Sequence, residues 1–209
     1  MTGKKKWIAI AGLFVVTFVL MFFYARQMRQ NQKDIAKEIL RLHVVANSDS
    51  KKDQALKMEV KEAVVTYLRG VMQDAESVDE ARIQIQKRLP EIEAVAKEKM
   101  QQKGYSYDAD ATLSSCYFPV KTYGDMIFPA GEYEALKVNL GKSAGRNWWC
   151  VMYPTLCFVD STYQIVPGES KEKLKKCLTE EEYNSLLDGE NGIETSSLFI
   201  EWIRNILFS

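Results

Sequence analysis

Histidine is almost missing from this chain: His43 is the only one among 209 residues. That excludes metal centres built from clustered imidazoles and leaves little for acid–base chemistry at neutral pH. Net charge is missing too, because 28 Lys+Arg balance 28 Asp+Glu. A chain without an overall cationic field is not a nucleic-acid binder that works through a large basic surface. There is no G-x-x-x-x-G-K-[ST] and no H-E-x-x-H, so two local signatures of phosphate-cradling loops and zinc hydrolysis are absent. No cofactor, metal, nucleic acid or small-molecule substrate is expected.

What is present is unevenly distributed. Residues 1–24 carry three Lys and no acid, and they contain the run WIAIAGLFVVTFVLMFFY. Trp7 to Tyr24 would form a helix about 27 Å long, close to the thickness of bilayer hydrocarbon. Trp7 and Tyr24 bracket it as interfacial aromatics do. Lys4-Lys5-Lys6 followed by an apolar run also resembles the start of a signal peptide, but Phe22-Phe23-Tyr24 is bulky where a cleavage site needs small residues. No Cys adjoins the run, which excludes lipoprotein-type attachment. The reading is an uncleaved signal-anchor over 1–24, N-terminus inside and domain outside. Arg26, Arg29 and Lys33 at the far flank weigh against that orientation. Residues 25–38, ARQMRQNQKDIAKE, form a polar stem of good helix formers.

The remainder is mildly acidic and of ordinary single-domain size. Its cysteines are Cys116, Cys150, Cys157 and Cys177. Four Cys outside the membrane allow three full pairings. Cys150-x6-Cys157, with Pro154 between, suits a bridge that staples a tight hairpin; free buried thiols are the alternative. A redox-active pair normally has two intervening residues, so six do not fit.

Leu40, Leu42 and Val44 alternate with Arg41, His43 and Val45, a strand with one face buried and His43 on the polar face. Asn47-Ser48-Asp49-Ser50 reads as a turn or N-cap. Apolar residues from Leu56 to Val71 recur at helical spacing. Ser77-x-x-Glu80 is a capping box for a second helix, which should break before Pro90 and stop at Gly104. Thereafter the character is β: 105–117, 132–140, a turn at 141–146, and the strongly apolar 147–153. The expected fold is α+β: an N-terminal transmembrane helix, one antiparallel-sheet domain with two main helices after the first strand, and a helical tail. The boundaries are 1–24, 25–38, 39–160 and 161–209. Thr179-x-x-Glu182 caps a short tail helix. A last helix, from Thr195 and apolar from Leu198 to Phe208, would dock on the sheet, a membrane surface or a partner groove.

No nucleophile with a partnered base and orienting acid emerges, so catalytic residues are expected to be none. Asp108 and Asp110 share a strand face, but two carboxylates alone are a weak signal. Tyr123-Gly124-Asp125 and Pro129 to Tyr133 are aromatic, polar and loop-borne, where binding residues concentrate. A protein-binding surface therefore outranks an active site.

The segments RLHVVANSDSKKDQALKMEVKEAV, LPEIEAVAKE, FPVKTYGDMIFPAGEYEALKVNLG and NWWCVMYPTLCFVD resemble the stage II sporulation protein R family of endospore-forming bacteria. The resemblance spans about Ile39 to Asp160, and the tail beyond is variable in that family. It implies a signalling protein that is not an enzyme, made in the forespore and either secreted or membrane-anchored. Its domain would stand in the space between forespore and mother cell. There it would activate a membrane-embedded aspartic protease that processes the sigma-E precursor. The family-like positions for partner contact are Asn47, Ser48, Asp49, Tyr123, Gly124, Glu132, Tyr133, Asn147 and Trp148. The resemblance does not divide them into contacts and fold-building residues. Two other classes stay open: a secreted cell-wall hydrolase, and a structural envelope protein without catalysis.

Overall fold

A computed structural model describes residues 3–157 and 165–187. The first element, α1, is one uninterrupted helix, Gly3–Glu38, so apolar run and stem share a single rod. Phe14, Phe18 and Phe22 on it are exposed, and nothing among the described residues covers them. Ala11–Glu38 includes a stretch long and apolar enough to cross a membrane.

Strand β1 (Leu40–Val45) leads into α2 (Lys51–Val71), α3 (Val78–Lys87) and α4 (Leu89–Gln102), then β2 (Ala109–Phe118). A small β3 (Lys121–Tyr123)/β4 (Met126–Phe128) hairpin follows, then β5 (Gly131–Leu140) and β6 (Asn147–Tyr153). Helices α5 (Gly168–Cys177) and α6 (Glu180–Leu187) end the described chain. Local chemistry accounts for the boundaries. The Ser50 hydroxyl caps α2 by accepting from Asp53 N–H at 3.1 Å. Pro90 opens α4 after α3 has ended at Lys87, the expected break. Gly104, at φ 80°, closes α4. Thr179 and Glu182 form a reciprocal capping box at α6, with N···O distances of 2.8 and 3.3 Å. The segment proposed as a last helix lies outside the described residues.

The four-stranded sheet has the order β2-β5-β1-β6. It is mixed rather than wholly antiparallel, because β1 and β5 pair in parallel, Leu42 beside Leu136 and Val44 beside Val138. Residue alternation does not encode strand direction. The long connection through α2–α4 and β2 supplies the crossover that a parallel pair needs.

Both faces of the sheet are covered. Leu40, Leu42 and Val44 pack on one side with Val60, Val64, Ile92 and Met100 of the helices. On the other side lie Ile35 of α1, Phe118, Phe128 and Tyr133. The polar face expected for β1 is therefore not half-exposed: Arg41 is 0 % and His43 7 % exposed. Phe118, Tyr123, Phe128, Tyr133 and Trp149 close over it, packing that strand periodicity cannot reveal. Edge strand β6 is exposed at Asn147 and buried only from Cys150 onward.

Candidate functional site

The candidate residues fall at two ends of the sheet rather than in one patch. Asn47, Ser48, Asp49 and Asn147 sit where β1 ends and β6 begins. Tyr123, Gly124, Glu132 and Tyr133 gather at the start of β5. The ends are on the order of 25 Å apart, about eight residues along β5.

At the first end, the turn after β1 folds around a carboxylate. Asp53 Oδ2 accepts from Asn47 Nδ2 at 2.9 Å and from Ser48 Oγ at 2.5 Å, and Oδ1 accepts from Tyr107 Oη at 2.8 Å. The Ser48 bond foremost, with Asn47 and Tyr107, holds the Asp53 carboxyl below the usual carboxylate range against the effect of burial. Burial, with the bond to Asp53, pushes the Tyr107 phenol well above its ordinary value. The β5–β6 loop closes on this turn. Asn47 Oδ1 accepts from Lys142 N–H at 2.9 Å, and Asp49 Oδ1 accepts from Arg146 N–H at 2.7 Å. Two glycines make the approach possible. A Cβ at Gly141 (φ 56°) would lie 2.3 Å from Asn47 Oδ1, and one at Gly145 would lie 2.3 Å from the Ser48 carbonyl oxygen. Lys57, 6 % exposed, donates to the Arg146 carbonyl at 3.1 Å, and burial lowers its pKa.

Asn47 and Ser48 thus spend their polar atoms inside the protein, whereas Asp49 and Asn147 are exposed. Asn147 also bonds His43 (Oδ1···Nε2 2.9 Å), whose ring stacks on Trp149 at 3.9 Å between centroids. Burial lowers the His43 pKa, with the Asn147 bond opposing. Trp148 lies under Lys61, whose ammonium is 5.1 Å from the indole centroid.

The loop also spells G-x-S-x-G, over Gly141-Lys142-Ser143-Ala144-Gly145, a pattern not expected in this chain. In hydrolases that pattern occupies a strand-to-helix elbow. Here it joins two strands, and both glycines serve the contact with the β1–α2 turn. Ser143 does take φ 51°, but the imidazole of His43 is engaged with Asn147 and Trp149 rather than with a serine.

At the second end, a buried arginine stands in an aromatic box. Arg41 donates through Nη2 to Tyr123 Oη at 3.1 Å. Its guanidinium carbon is 4.1 Å from the Phe118 ring centre, 4.8 Å from Tyr133 and 5.8 Å from Phe128. Tyr123 donates in turn to the Trp149 carbonyl at 3.3 Å, and Tyr133, 1 % exposed, to the Pro129 carbonyl at 2.6 Å. Burial raises both phenol pKa values, with Arg41 opposing. Gly124, at φ 54°, leaves no room for a side chain, since a Cβ would lie 2.8 Å from Val166 N. The neighbouring Asp125 accepts from Val166 N–H at 3.0 Å and pairs with Lys171. Burial would raise that carboxyl, but Lys171 and the Val166 N–H outweigh it and hold it low. Glu132 is exposed and accepts from Ser115 Oγ at 3.0 Å.

Cys150 and Cys157 are joined by a disulfide. It spans the end of β6 and the turn beyond it. Cys116 and Cys177 are free, and burial raises the Cys177 thiol pKa. Among the described residues no group of three or more His, Cys, Asp or Glu side chains converges to hold a metal ion. Asp53, Tyr107, Arg41 and Lys57 escaped the sequence reading. Asp53 alone had a visible signal, three residues after the Ser50 cap; the others depend on which loops and helices meet.

These features define a class: a small α+β domain on a long apolar-headed helix, with internally bonded turns and a few exposed polar groups at their rims. Residues 36–163 match the family model described as Stage II sporulation protein R. The chain is 36 % identical over 185 residues to Stage II sporulation protein R of Bacillus subtilis (strain 168), covering 82 % of this chain and 83 % of that protein. It therefore belongs to the stage II sporulation protein R family, and its role lies in sporulation. No solved structure matches it.

Proposed function

We propose that this protein is an exported sporulation signal that activates a membrane-embedded aspartic protease of the mother-cell membrane and so leads to processing of the sigma-E precursor. Family membership carries the reading. The site supports it: Asn47 and Ser48 spend their polar atoms shaping the turn, while Asp49 and Asn147 at one end of the sheet and Glu132 at the other stay exposed to meet a partner. A binding signal acts by preferring the active state of its target, so differential affinity is all the chemistry it requires. The domain contributes no catalytic step and takes no cofactor. The apolar half of α1 holds it at the forespore membrane.

The test is reconstitution in a non-sporulating host that expresses the protease and the sigma-E precursor, with and without this protein exported. Precursor cleavage only in its presence is the expected result. No cleavage, with all three proteins present and the exported domain folded, overturns the proposal.

A further inference from the structure

Helix α6 carries the chain back toward the membrane end of α1. Its Tyr183 and Leu186 are buried in one cluster with Ile35 of α1. Asn31 Nδ2 donates to Ser185 Oγ at 2.9 Å, and the Glu182 carboxylate attracts the Lys37 ammonium. Residues later in α6 thus meet residues earlier in α1, so the two helices run antiparallel and Leu187 faces the bilayer side. From Tyr24, where the apolar run ends, to Asn31 the rise is about 10 Å. Turning of α1 about the bilayer normal leaves that height unchanged.

Beyond Leu187 the residues lie outside the described set, and the sequence changes character. Residues 188–194 (DGENGIE) carry three acids and two glycines, whereas 198–208 (LFIEWIRNILF) hold eight large apolar residues. At about 100° per residue, Leu198, Trp202, Ile203, Ile206 and Leu207 would share one side, with Glu201, Arg204 and Asn205 on the other. Glu201 and Arg204 cancel, and 195–209 holds no other charge. The stretch 188–197 can span up to about 33 Å, which is ample to reach the interface. The domain offers so apolar a segment little to cover. Both faces of the sheet are already packed. Among the described residues, the large apolar side chains exposed outside α1 are Met58, Ile83, Tyr117, Val120 and Ile165, none of them on α5 or α6.

We infer that residues 198–208 insert their apolar side into the surface of the bilayer that holds α1, a second attachment that needs no anionic lipid. The inference rests on the anchored reading of residues 1–24 and on no property of the protease. A segment packed on the domain, or held for a partner's groove, would leave the lipid alone.

The test uses the full chain in nanodiscs of neutral phosphatidylcholine, with and without bromine on the acyl chains. The chain has four tryptophans, so the difference between the unaltered chain and Trp202→Phe isolates Trp202, and Trp7→Phe isolates Trp7 in the same way. Bromine should cut the Trp202 emission about twofold or more, and equally at high salt, because the segment carries no net charge. An unquenched Trp202, or a quench that high salt abolishes, overturns the inference. Trp7 judges the anchor separately: if it escapes quenching, the membrane reading of 1–24 falls and the inference with it. Ile203→Glu combined with Leu207→Glu should abolish the Trp202 quench while leaving the domain's Tm within about 1 °C, since neither residue packs on the domain in this arrangement. Quenching that persists in that variant, or a Tm loss of several degrees, overturns it.

Discussion

The guanidinium carbon of Arg41 lies 4.1 Å from the centre of the Phe118 ring, in a site with no exposure to water. Its Nη2 bonds Tyr123, while Nε and Nη1 have no protein partner among the described residues. Aromatic faces and one phenol therefore offset the lost hydration. A lysine has no planar charge to spread over three rings, so Arg41→Lys should lower Tm. Arg41→Met keeps the stem's bulk and removes the desolvation cost, and is expected to hold stability or raise it by about 1–4 kcal/mol. Urea denaturation of both variants checks this; a Met variant less stable than the Lys variant sinks it.

The contact between the β1–α2 turn and the β5–β6 loop depends on missing side chains. Gly145→Ala sets a Cβ against backbone, the Ser48 carbonyl, and should cost about 1–3 kcal/mol. Gly131→Ala meets only the end of the Gln32 side chain, which can swing aside, so its cost should stay below about 1 kcal/mol. Equal Tm losses in the two variants would refute the distinction.

Asp53→Asn removes the charge that three side-chain donors converge on. The loss should be about 1–3 kcal/mol at pH 7. Because the native Asp53 carboxyl titrates below its unfolded value, its contribution is complete above the unfolded pKa near 3.8 and disappears as pH falls through the lower native value. Unfolding curves of wild type and variant should therefore converge at strongly acid pH, and a constant gap would contradict the linkage.

His43 gives a second pH dependence in a separate window. Burial depresses its native pKa below 6.5, so the unfolded chain binds the proton more readily. Stability is complete above about pH 6.5 and declines as pH falls from there through the native value. No other histidine is present, so His43→Asn should flatten the stability profile between about pH 6.5 and 5. Thermal melts across that range measure it.

The Cys150–Cys157 bridge closes a short loop, and chain-entropy reasoning assigns it about 2.5 kcal/mol. The double Ser variant should lose an amount of that order in chemical denaturation. Thiol labelling of the unfolded, unreduced protein should mark Cys116 and Cys177 only; four labelled cysteines would show the bridge unformed in solution.

The sequence by itself determined the elements whose causes are local. An 18-residue run, apolar but for Gly12 and Thr17, specifies a helix long and apolar enough to cross a membrane. Ser50, Ser77, Pro90, Gly104 and Thr179 specify where helices begin and end, since each cap or break acts within a turn of its own position. What only the tertiary structure decided is which groups share an environment. Arg41 and His43 alternate with leucine and valine as surface residues would, and are buried because Phe118, Tyr123, Phe128, Tyr133 and Trp149 reach them from distant parts of the chain. The parallel pairing of β1 with β5, the collection of Asn47, Ser48 and Tyr107 around Asp53, and the separation of the candidate contacts into two ends have the same origin. A strand's period of two names its faces but not what will cover them, because that depends on long-range packing to which no local pattern is tied.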